Sequence, residues 1–396
     1  MFAERTAWEL KKNRYTEELE RSRSAGTKLL DLTVSNPTVC GFHFRDDQIL
    51  EAFKNRDALT YHPEPRGLRI AREAVCAYYG EHARRVNLNR QISPEQIFLT
   101  TGTSEAYSFL FRLLCNPGDQ VLVPRPSYPL FDFLADIQDV KLAAYPLQYD
   151  HGWHIDFAAL ESLITDKTRA VMVVHPNNPT GSFASRGEMS KLGQVCADYG
   201  LALIADEVFL DYGISDAIPA SFALNNDSLT FVLSGLSKIS CLPQMKVGWV
   251  VVNGPAGLRS QAEDRLEVIA DTYLSMNAPL QLALPVLLEE RRHIQPQLFD
   301  RIEQNLRSLD DEIKKQELVS RLEMQGGWYA VLRVPATGPD EELAIELIRQ
   351  HEVVVHPGHF YDFPREGYLV VSLITPEDQF REGIRRILRF HNRALA

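Results

Sequence analysis

The sequence contains few cysteines, and none of them lies close to another. The five positions form no Cys-x-x-Cys pair, and their number is odd. A zinc site and a framework of disulfides are therefore both disfavoured, so we predict reduced, buried thiols and no metal site. The five are Cys40, Cys76, Cys115, Cys196 and Cys241.

Long apolar runs and an excess of positive charge are also absent. No apolar run approaches the ~18 residues that cross a bilayer, and residues 1–24 are charged rather than apolar, unlike a secretory signal. The formal net charge is −11, whereas nucleic-acid binding needs a concentrated basic face. We therefore expect a cytoplasmic protein with no membrane and no nucleic-acid partner.

The composition is typical of a globular protein, and the length allows two domains. Of the 396 residues, 45% are hydrophobic and 24% are charged. From about residue 95 to 255, short β-branched runs alternate with helical segments such as Ser185–Gly200, which predicts a mostly parallel sheet covered by helices. The predicted strands are Gln96–Thr100, Gln120–Val123, Lys141–Tyr145, Ala170–Val174, Leu201–Ala205, Leu229–Leu233 and Lys246–Val252.

The pattern changes after residue 255. Long charged helices are predicted at Gly257–Tyr273 and Pro279–Lys315, followed by a strand pair near Trp328–Val334 and a strand–helix unit over Tyr368–Phe390.

These patterns together predict an α/β protein of two domains. The large domain, residues 46–280, carries the mostly parallel sheet flanked by helices. Residues 1–45 and 281–396 form a smaller α+β domain.

A glycine-containing turn leads into a helix at LTTGTSEAYSFLFRLLCNPGD, residues 99–119. Free backbone amides and the positive end of the helix dipole meet at Gly102, Thr103 and Ser104, where a phosphate can be held. The alternative is that Thr103 or Ser104 only caps the helix.

Three polar residues follow the ends of predicted strands. Asn178 lies in VMVVHPNNPTG, Asp206 follows LALIA, and Lys238 lies in SGLSK. Taken one at a time, Asn178 is explained equally well as a turn residue, Asp206 as a cap at the end of a strand, and Lys238 as a solvent-exposed lysine. Because ligands of open α/β sheets bind at the carboxyl ends of the strands, we expect the three to meet at one site with Gly102, Thr103 and Ser104, which are called the phosphate cup below. A lysine amine, a carboxylate, an amide and an anion cup meet the needs of pyridoxal 5′-phosphate.

The arrangement resembles the class I/II aminotransferases, which are fold-type I pyridoxal-phosphate enzymes, from about Leu29 to Arg389. The matching segments, in chain order, are DLTVSNPT, YHPEPRGLRIAREAVCAYY, TTGTSEA, PGDQVLVPRPSYP, HPNNPTG, ADEVF, SGLSK, KVGW and GGWYAVLRV. The resemblance implies an aspartate-aminotransferase-like fold and a homodimer with shared active sites.

The resemblance also assigns roles to individual residues. Lys238 forms the Schiff base and shuttles the proton, Asp206 pairs with the pyridine nitrogen, Asn178 donates to the phenolic oxygen, and Tyr128 stacks on the ring. The other cofactor-binding positions are Gly102, Thr103, Ser104, Ser237, Lys246 and, reaching the neighbouring subunit, Tyr61.

Three positions depart from the family pattern. Lys246 replaces a phosphate-binding arginine and keeps the charge without the bidentate fork. Phe209 replaces a tyrosine that donates to the phenolic oxygen. Val370, aligned by Ser372, replaces the arginine that holds the substrate's α-carboxylate.

The loss of that arginine leaves open how the substrate is bound. Either another cation replaces it, with Arg365, His359 and Arg125 as candidates, or the substrate is not an ordinary α-amino acid. Further substrate candidates are Ser35 and Trp328. For Trp328 the alternative is packing in the small domain, and His175 is interpreted as a structural histidine.

We therefore predict an aminotransferase that moves an amino group between an amino acid, or an amine, and a keto acid in two half-reactions. A lyase, decarboxylase or cyclising synthase of the same fold needs the same residues. A DNA-binding regulator is disfavoured, because only about 45 residues precede the large domain.

Overall fold

The computed structural model describes residues 1–129, 131–214, 219–274 and 276–393. The strands are β1 (Leu30–Asp31), β2 (Ile97–Thr100), β3 (Gln120–Arg125), β4 (Lys141–Tyr149), β5 (Trp153–Ile155), β6 (Thr168–Val174), β7 (Ala202–Asp206), β8 (Thr230–Gly235), β9 (Gly248–Asn253), β10 (Ser320–Arg321), β11 (Tyr329–Arg333), β12 (Val353–Val354), β13 (His356–Pro357) and β14 (Tyr368–Ser372). The helices are α1 (Arg14–Ser24), α2 (Asp46–Glu51), α3 (Arg69–Arg85), α4 (Thr103–Leu114), α5 (Phe131–Asp136), α6 (Phe157–Ser162), α7 (Arg186–Tyr199), α8 (Leu236–Ile239), α9 (Ala256–Thr272), α10 (Ala278–Glu289), α11 (Arg291–Ile313), α12 (Asp340–His351) and α13 (Glu377–Arg393).

A large, mostly parallel sheet forms the centre of the protein. Over the described residues it has eight strands in the order β2-β9-β8-β7-β6-β3-β4-β5, and the pairs β3/β4, β3/β6, β6/β7 and β7/β8 are parallel. Side chains of β7 alternate between two apolar clusters, with Leu203 and Ala205 in one and Ala202 and Ile204 in the other. Helices therefore cover both faces, and the predicted fold class is confirmed.

Helix α7 shows how local sequence signals set the element boundaries. The hydroxyl of Ser185 accepts a hydrogen bond from the backbone N–H of Glu188, and the Glu188 carboxylate accepts one from the backbone N–H of Ser185. The helix ends at Gly200, whose φ of 65° suits a residue without Cβ. The predicted helix Ser185–Gly200 is confirmed, including both caps.

A smaller sheet is built mainly from the C-terminal part of the chain. Among the described residues it has four antiparallel strands in the order β10-β11-β14-β13, and β1 pairs separately in parallel with β12. Tyr15 and Leu32 near the N-terminus share one apolar cluster with Leu298, Leu369 and Phe380. The N-terminal segment therefore packs with the C-terminal sheet.

Two element predictions are corrected by the structure. The single helix predicted over Pro279–Lys315 is two helices that meet at Glu290. The Glu290 carboxylate is buried and accepts hydrogen bonds from the backbone and the guanidinium of Arg45, a tertiary contact that helical periodicity does not reveal. The strand predicted from Lys246 begins at Gly248, because Lys246 has a left-handed φ of 51°.

Candidate active site

The functional candidates meet where the parallel strands end. Strands β2, β3, β6, β7 and β8 all run toward the same edge of the large sheet. A cavity of about 290 Å³ lies there. It is lined by nine of the predicted site residues: Ser35, Gly102, Thr103, Ser104, Tyr128, Asn178, Asp206, Ser237 and Lys238.

The phosphate cup lies at the start of α4. This helix begins at Thr103 directly after Gly102, and within the described part of the chain no side chain caps it. The first backbone amides of a helix have no partner inside the helix, so they are available to an anion. The alternative of a Thr103 or Ser104 cap is therefore not what the structure shows.

Two glycines allow the backbone to close tightly around this cup. A Cβ on Gly248 would lie 2.9 Å from Gly102 Cα, and one on Gly235 would lie 2.6 Å from the carbonyl oxygen of Val247. Both distances are shorter than any normal contact. Strand β9 can therefore approach the turn at Gly102 only without a side chain at position 248, and Val247 can approach the end of β8 only without one at position 235.

Lys238 lies in the short helix α8, with its ammonium among aromatic rings. Its Nζ is 4.7 Å from the ring centre of Trp328 and 5.3 Å from that of Phe209. Burial lowers the pKa of Lys238 to about 8, although the nearby Cys241 and Asp206 raise it. A lysine with this pKa has an appreciable neutral fraction near pH 7 to 8, which a nucleophilic amine needs.

Asp206 ends β7 and presents a buried carboxylate to the cavity. Its Oδ2 accepts a hydrogen bond of 2.8 Å from the hydroxyl of Tyr107, and its Oδ1 accepts one of 3.1 Å from the backbone N–H of Val208. Burial raises the pKa of Asp206, whereas Tyr107, Val208 and Lys238 lower it. A cation beside this carboxylate would favour its ionised form further.

The two adjacent asparagines have different roles. Asn177 is fully used by the protein, because its amide donates to Pro126 O and Thr180 Oγ1 and its oxygen accepts from Ser127 Oγ. Asn178 lines the cavity, and its buried Oδ1 has no partner among the described residues. The side chain of Asn178 is therefore the one available to a ligand.

Sequence reasoning missed several residues of the site. Tyr107 contacts Asp206, and Phe131 and Tyr329 line the cavity beside Tyr128. Tyr107 lies four residues after Thr103 on the same face of α4, which places it near the start of the helix, but no sequence signal links it to Asp206. For Phe131 and Tyr329 the sequence carries no comparable signal.

Two predicted phosphate ligands lie outside this cavity. Lys246 is exposed at the turn before β9. Tyr61 is 83% exposed. A side chain that reaches into a neighbouring subunit is expected to be exposed when one chain is considered alone. Their predicted roles stay predictions.

The cations proposed to replace the missing arginine do not line the cavity either. Arg365 and His359 are exposed, and Arg125 pairs with Asp362 at 3.1 Å. Trp328 is fully buried and contacts Lys238 from behind the cavity wall.

Val370 is part of the small antiparallel sheet. It lies opposite Val331 on one side and His356 on the other, and only 1% of its surface is exposed. The whole strand β14 reads YLVVS, so the absence of an arginine does not depend on which of its residues is aligned.

Tyr212 does not replace the hydroxyl lost at Phe209. Its own hydroxyl donates to the backbone carbonyl of Lys238 at 2.7 Å. His175 is buried, accepts from the N–H of Ala184 and bonds to Ala220 O, which agrees with its interpretation as a structural residue.

Comparison with known proteins identifies the family. The sequence profile described as "Aminotransferase class I and II" matches residues 27–387. The chain belongs to this aminotransferase family. It is similar to the glutamate-pyruvate aminotransferase AlaA of Escherichia coli K12 (26% identity, 94% of this chain and 93% of AlaA). It is also similar to the alanine aminotransferase of Mycobacterium tuberculosis H37Rv (27% identity, 93% and 87%).

Solved aminotransferase structures have the same fold. An aminotransferase from Escherichia coli superposes with a TM-score of 0.83 at 26% identity and covers 96% of this chain and 95% of its own. The alanine aminotransferase from Pyrococcus furiosus has a TM-score of 0.86 at 23% identity, with coverage of 99% and 100%. The protein is thus a pyridoxal-phosphate-dependent aminotransferase with an aspartate-aminotransferase-like fold.

The residues of this aminotransferase fit its cofactor. The uncapped start of α4 suits the phosphate, the side-chain amide N–H of Asn178, which lines the cavity, suits the phenolic oxygen as a donor, and the buried Asp206 carboxylate suits the ring nitrogen. In the described ranges no helix is long and apolar enough to span a membrane, and no group of three His, Cys, Asp or Glu residues could hold a metal.

Proposed function

We propose that Lys238, Asp206 and Asn178 are the residues that hold and tune the cofactor of this aminotransferase. The bound cofactor supplies an electron-accepting ring. Lys238 provides the amine for covalent attachment and afterwards takes up and returns a proton at Nζ. Asp206 faces the ring nitrogen as a carboxylate, and the Asn178 amide donates to the phenolic oxygen.

The observation that carries this proposal is the meeting of these three side chains in one cavity with the start of α4. They come from three separate strand ends and are otherwise an unusual collection of buried polar groups. The lowered pKa of Lys238 supports the nucleophilic role, and Ser237 and Tyr128 complete the cofactor site in this proposal.

The proposed reaction moves an amino group from an amino acid or an amine to a keto acid in two half-reactions. The relatives are named for glutamate, pyruvate and alanine. In this chain the only charged residues that line the described cavity are Asp206 and Lys238, both assigned to the cofactor. We propose that Ser35 and Tyr329, with the aromatic wall around them, bind the substrate without a guanidinium clamp. Donors held mainly through their carboxylate are then poor substrates.

Val370→Arg tests this view of the substrate. A guanidinium at position 370, where the family resemblance places the carboxylate-binding arginine, should lower KM for alanine and glutamate by about tenfold, in line with a charge-assisted bidentate contact. Leu369→Arg, on the opposite face of β14, is the matched control, and circular dichroism checks that both variants fold. An unchanged KM for Val370→Arg would count against the proposal.

We further propose a homodimer with shared active sites and a division into residues 46–280 and residues 1–45 plus 281–396. The exposed Leu59 and Tyr61 offer an apolar loop to a second copy, which supports the dimer. Sedimentation equilibrium measures the assembly, and a monomer with full activity would contradict shared sites.

We also propose a cytoplasmic location. All five cysteines lie in the described part of the chain and are free, which suits a reducing compartment.

Borohydride reduction tests the central assignment. Protein loaded with pyridoxal phosphate and then reduced should gain the cofactor's mass on the peptide that contains Lys238, and Lys238→Arg should lose the label. Lys191→Arg is the control, because that lysine lies on α7, pairs with Glu161 and does not line the cavity. An unlabelled Lys238 peptide would overturn the proposal.

A single-turnover experiment separates the aminotransferase from a lyase or decarboxylase. The loaded enzyme, given an amino donor alone, should release one equivalent of keto acid and keep the nitrogen. Adding a keto acid should then restore the original absorbance. Release of ammonia or carbon dioxide instead would support the other reaction classes.

A further inference from the structure

We propose that Tyr107 is a positioning residue that holds Asp206 ionised and aimed at the ring nitrogen of the cofactor. This inference rests on the proposed role of Asp206. From its packing alone, Tyr107 would be interpreted as an aromatic residue of the hydrophobic core without a role in the active site.

The Asp206 carboxylate is fixed at two points. The backbone N–H of Val208 binds Oδ1, and the hydroxyl of Tyr107 binds Oδ2. The backbone contact persists with almost any residue at position 208. The hydroxyl contact, at 2.8 Å, is the one that this chain supplies through its choice of side chain.

Tyr107 is itself held in place. Only 2% of its surface is exposed, and its ring packs edge-on to Phe131 at 5.3 Å and against Phe111 at 6.1 Å. It lies four residues after Thr103 in α4, so the two share one helix face. The helix whose first turn forms the phosphate cup therefore also carries the hydroxyl that orients the partner of the ring nitrogen.

The chemistry of the hydroxyl favours the charged carboxylate. Burial raises the pKa of Tyr107 well above its usual range, so the hydroxyl stays protonated and can donate. A hydroxyl that donates to a carboxylate makes a charge-assisted hydrogen bond, stronger than one between neutral groups. It stabilises the ionised form of Asp206 in a cavity where burial alone favours the neutral acid.

Other titratable groups near Asp206 do not replace this contact. Lys238 stabilises the carboxylate through its charge, while Tyr128 and Glu207 feel its negative charge without bonding to it. Glu207 is occupied by Ser221 Oγ and the N–H of Phe222. In the described structure, Tyr107 is thus the side chain that donates a hydrogen bond to Asp206.

The test compares Tyr107→Phe with Tyr145→Phe. Both changes remove one buried hydroxyl, but that of Tyr145 donates to the backbone carbonyl of Met172, away from the cavity. The readouts are the calorimetric Kd of the apoprotein for pyridoxal phosphate and the pH dependence of the ¹⁵N chemical shift of the labelled ring nitrogen. For Tyr107→Phe we expect an affinity about tenfold weaker and a ring-nitrogen pKa about one unit lower. Tyr145→Phe should change neither.

A double-mutant cycle with Asp206→Asn isolates the pair. Once the carboxylate is gone, Tyr107→Phe should cause no further change in the ring-nitrogen pKa, and an additive change would overturn the proposal. Tyr107→His, which retains a ring donor, should lie between wild type and Tyr107→Phe, and it serves if Tyr107→Phe does not fold.

The outcomes distinguish this inference from the proposed function. If the wild type binds cofactor at Lys238 and Tyr107→Phe leaves the nitrogen pKa unchanged, Tyr107 has only a packing role. If the wild type shows no cofactor on Lys238, the proposed roles of Lys238 and Asp206 fail together with this inference.

Discussion

Replacing Gly248 by alanine tests whether the close approach of β9 shapes the phosphate cup. Gly248 begins β9 and lies between Thr100 of β2 and Gly235 of β8 in the register of the sheet. The added Cβ would lie 2.9 Å from both Cα and the carbonyl carbon of Gly102 and 3.1 Å from Thr100 Oγ1. Its nearest neighbours are backbone atoms, which cannot rotate away as a flexible side chain can.

The structure sets the size of the expected effect. Ordinary contacts begin at 3.4 Å, so β9 and the turn at Gly102 must separate by about 0.5 Å. Overpacking of this kind costs about 1–3 kcal/mol. If most of that cost falls on the cup, the affinity for pyridoxal phosphate drops by about tenfold to a hundredfold.

Calorimetric titration of the apoprotein measures the affinity, and thermal unfolding measures the stability. Gly257→Ala is the control, because a Cβ there meets nothing within 4 Å and alanine favours the helix α9. Wild-type affinity in a folded Gly248→Ala protein would show that the cup tolerates the displacement, and the reasoning from close approach would be refuted.

Three further predictions concern titration. The rate of cofactor attachment should rise about tenfold per pH unit below about 8 and level off above it, because burial lowers the pKa of Lys238 to about 8; stopped-flow absorbance measures it, and a flat profile would contradict the assignment. Phe209→Tyr adds a hydroxyl that can donate to the phenolic oxygen, so it should lower the pKa of the bond between Lys238 and the cofactor by roughly one unit. Spectrophotometric titration of the holoenzyme measures this pKa, and an unchanged value would contradict the prediction. Burial lowers the pKa of His175 from 6.5 to about 3. Between pH 6.5 and 3 the unfolded chain therefore binds a proton that the folded chain does not, and the free energy of unfolding should fall as the pH drops through this range. In scanning calorimetry His175→Gln should reduce that fall, and an identical pH slope would show that His175 does not contribute.

General rules of α/β folds made much of the site predictable. The carboxyl ends of parallel strands share one edge, so Asn178, Asp206 and Lys238 could be placed together from their positions after predicted strands. The boundaries of α7 were predictable because Ser185 and Gly200 satisfy the helix ends locally.

Contacts across long sequence distances could not be predicted in this way. Tyr107 and Asp206 are 99 residues apart, and nothing local shows that the hydroxyl reaches the carboxylate. Which of Asn177 and Asn178 is free to bind the cofactor depends on which side-chain amide already forms hydrogen bonds with the surrounding loops. The exposure of Lys246 follows from a left-handed backbone that its sequence pattern did not suggest.

The indole of Trp328 gives this enzyme a built-in optical signal. It is one of four tryptophans, it is fully buried, and its ring centre is 4.7 Å from Lys238 Nζ. A chromophore attached to that lysine would quench its emission by energy transfer. Because Trp328 directly precedes β11 of the small sheet whereas Lys238 follows β8 of the large one, the same emission would also change whenever the two sheets shift relative to each other.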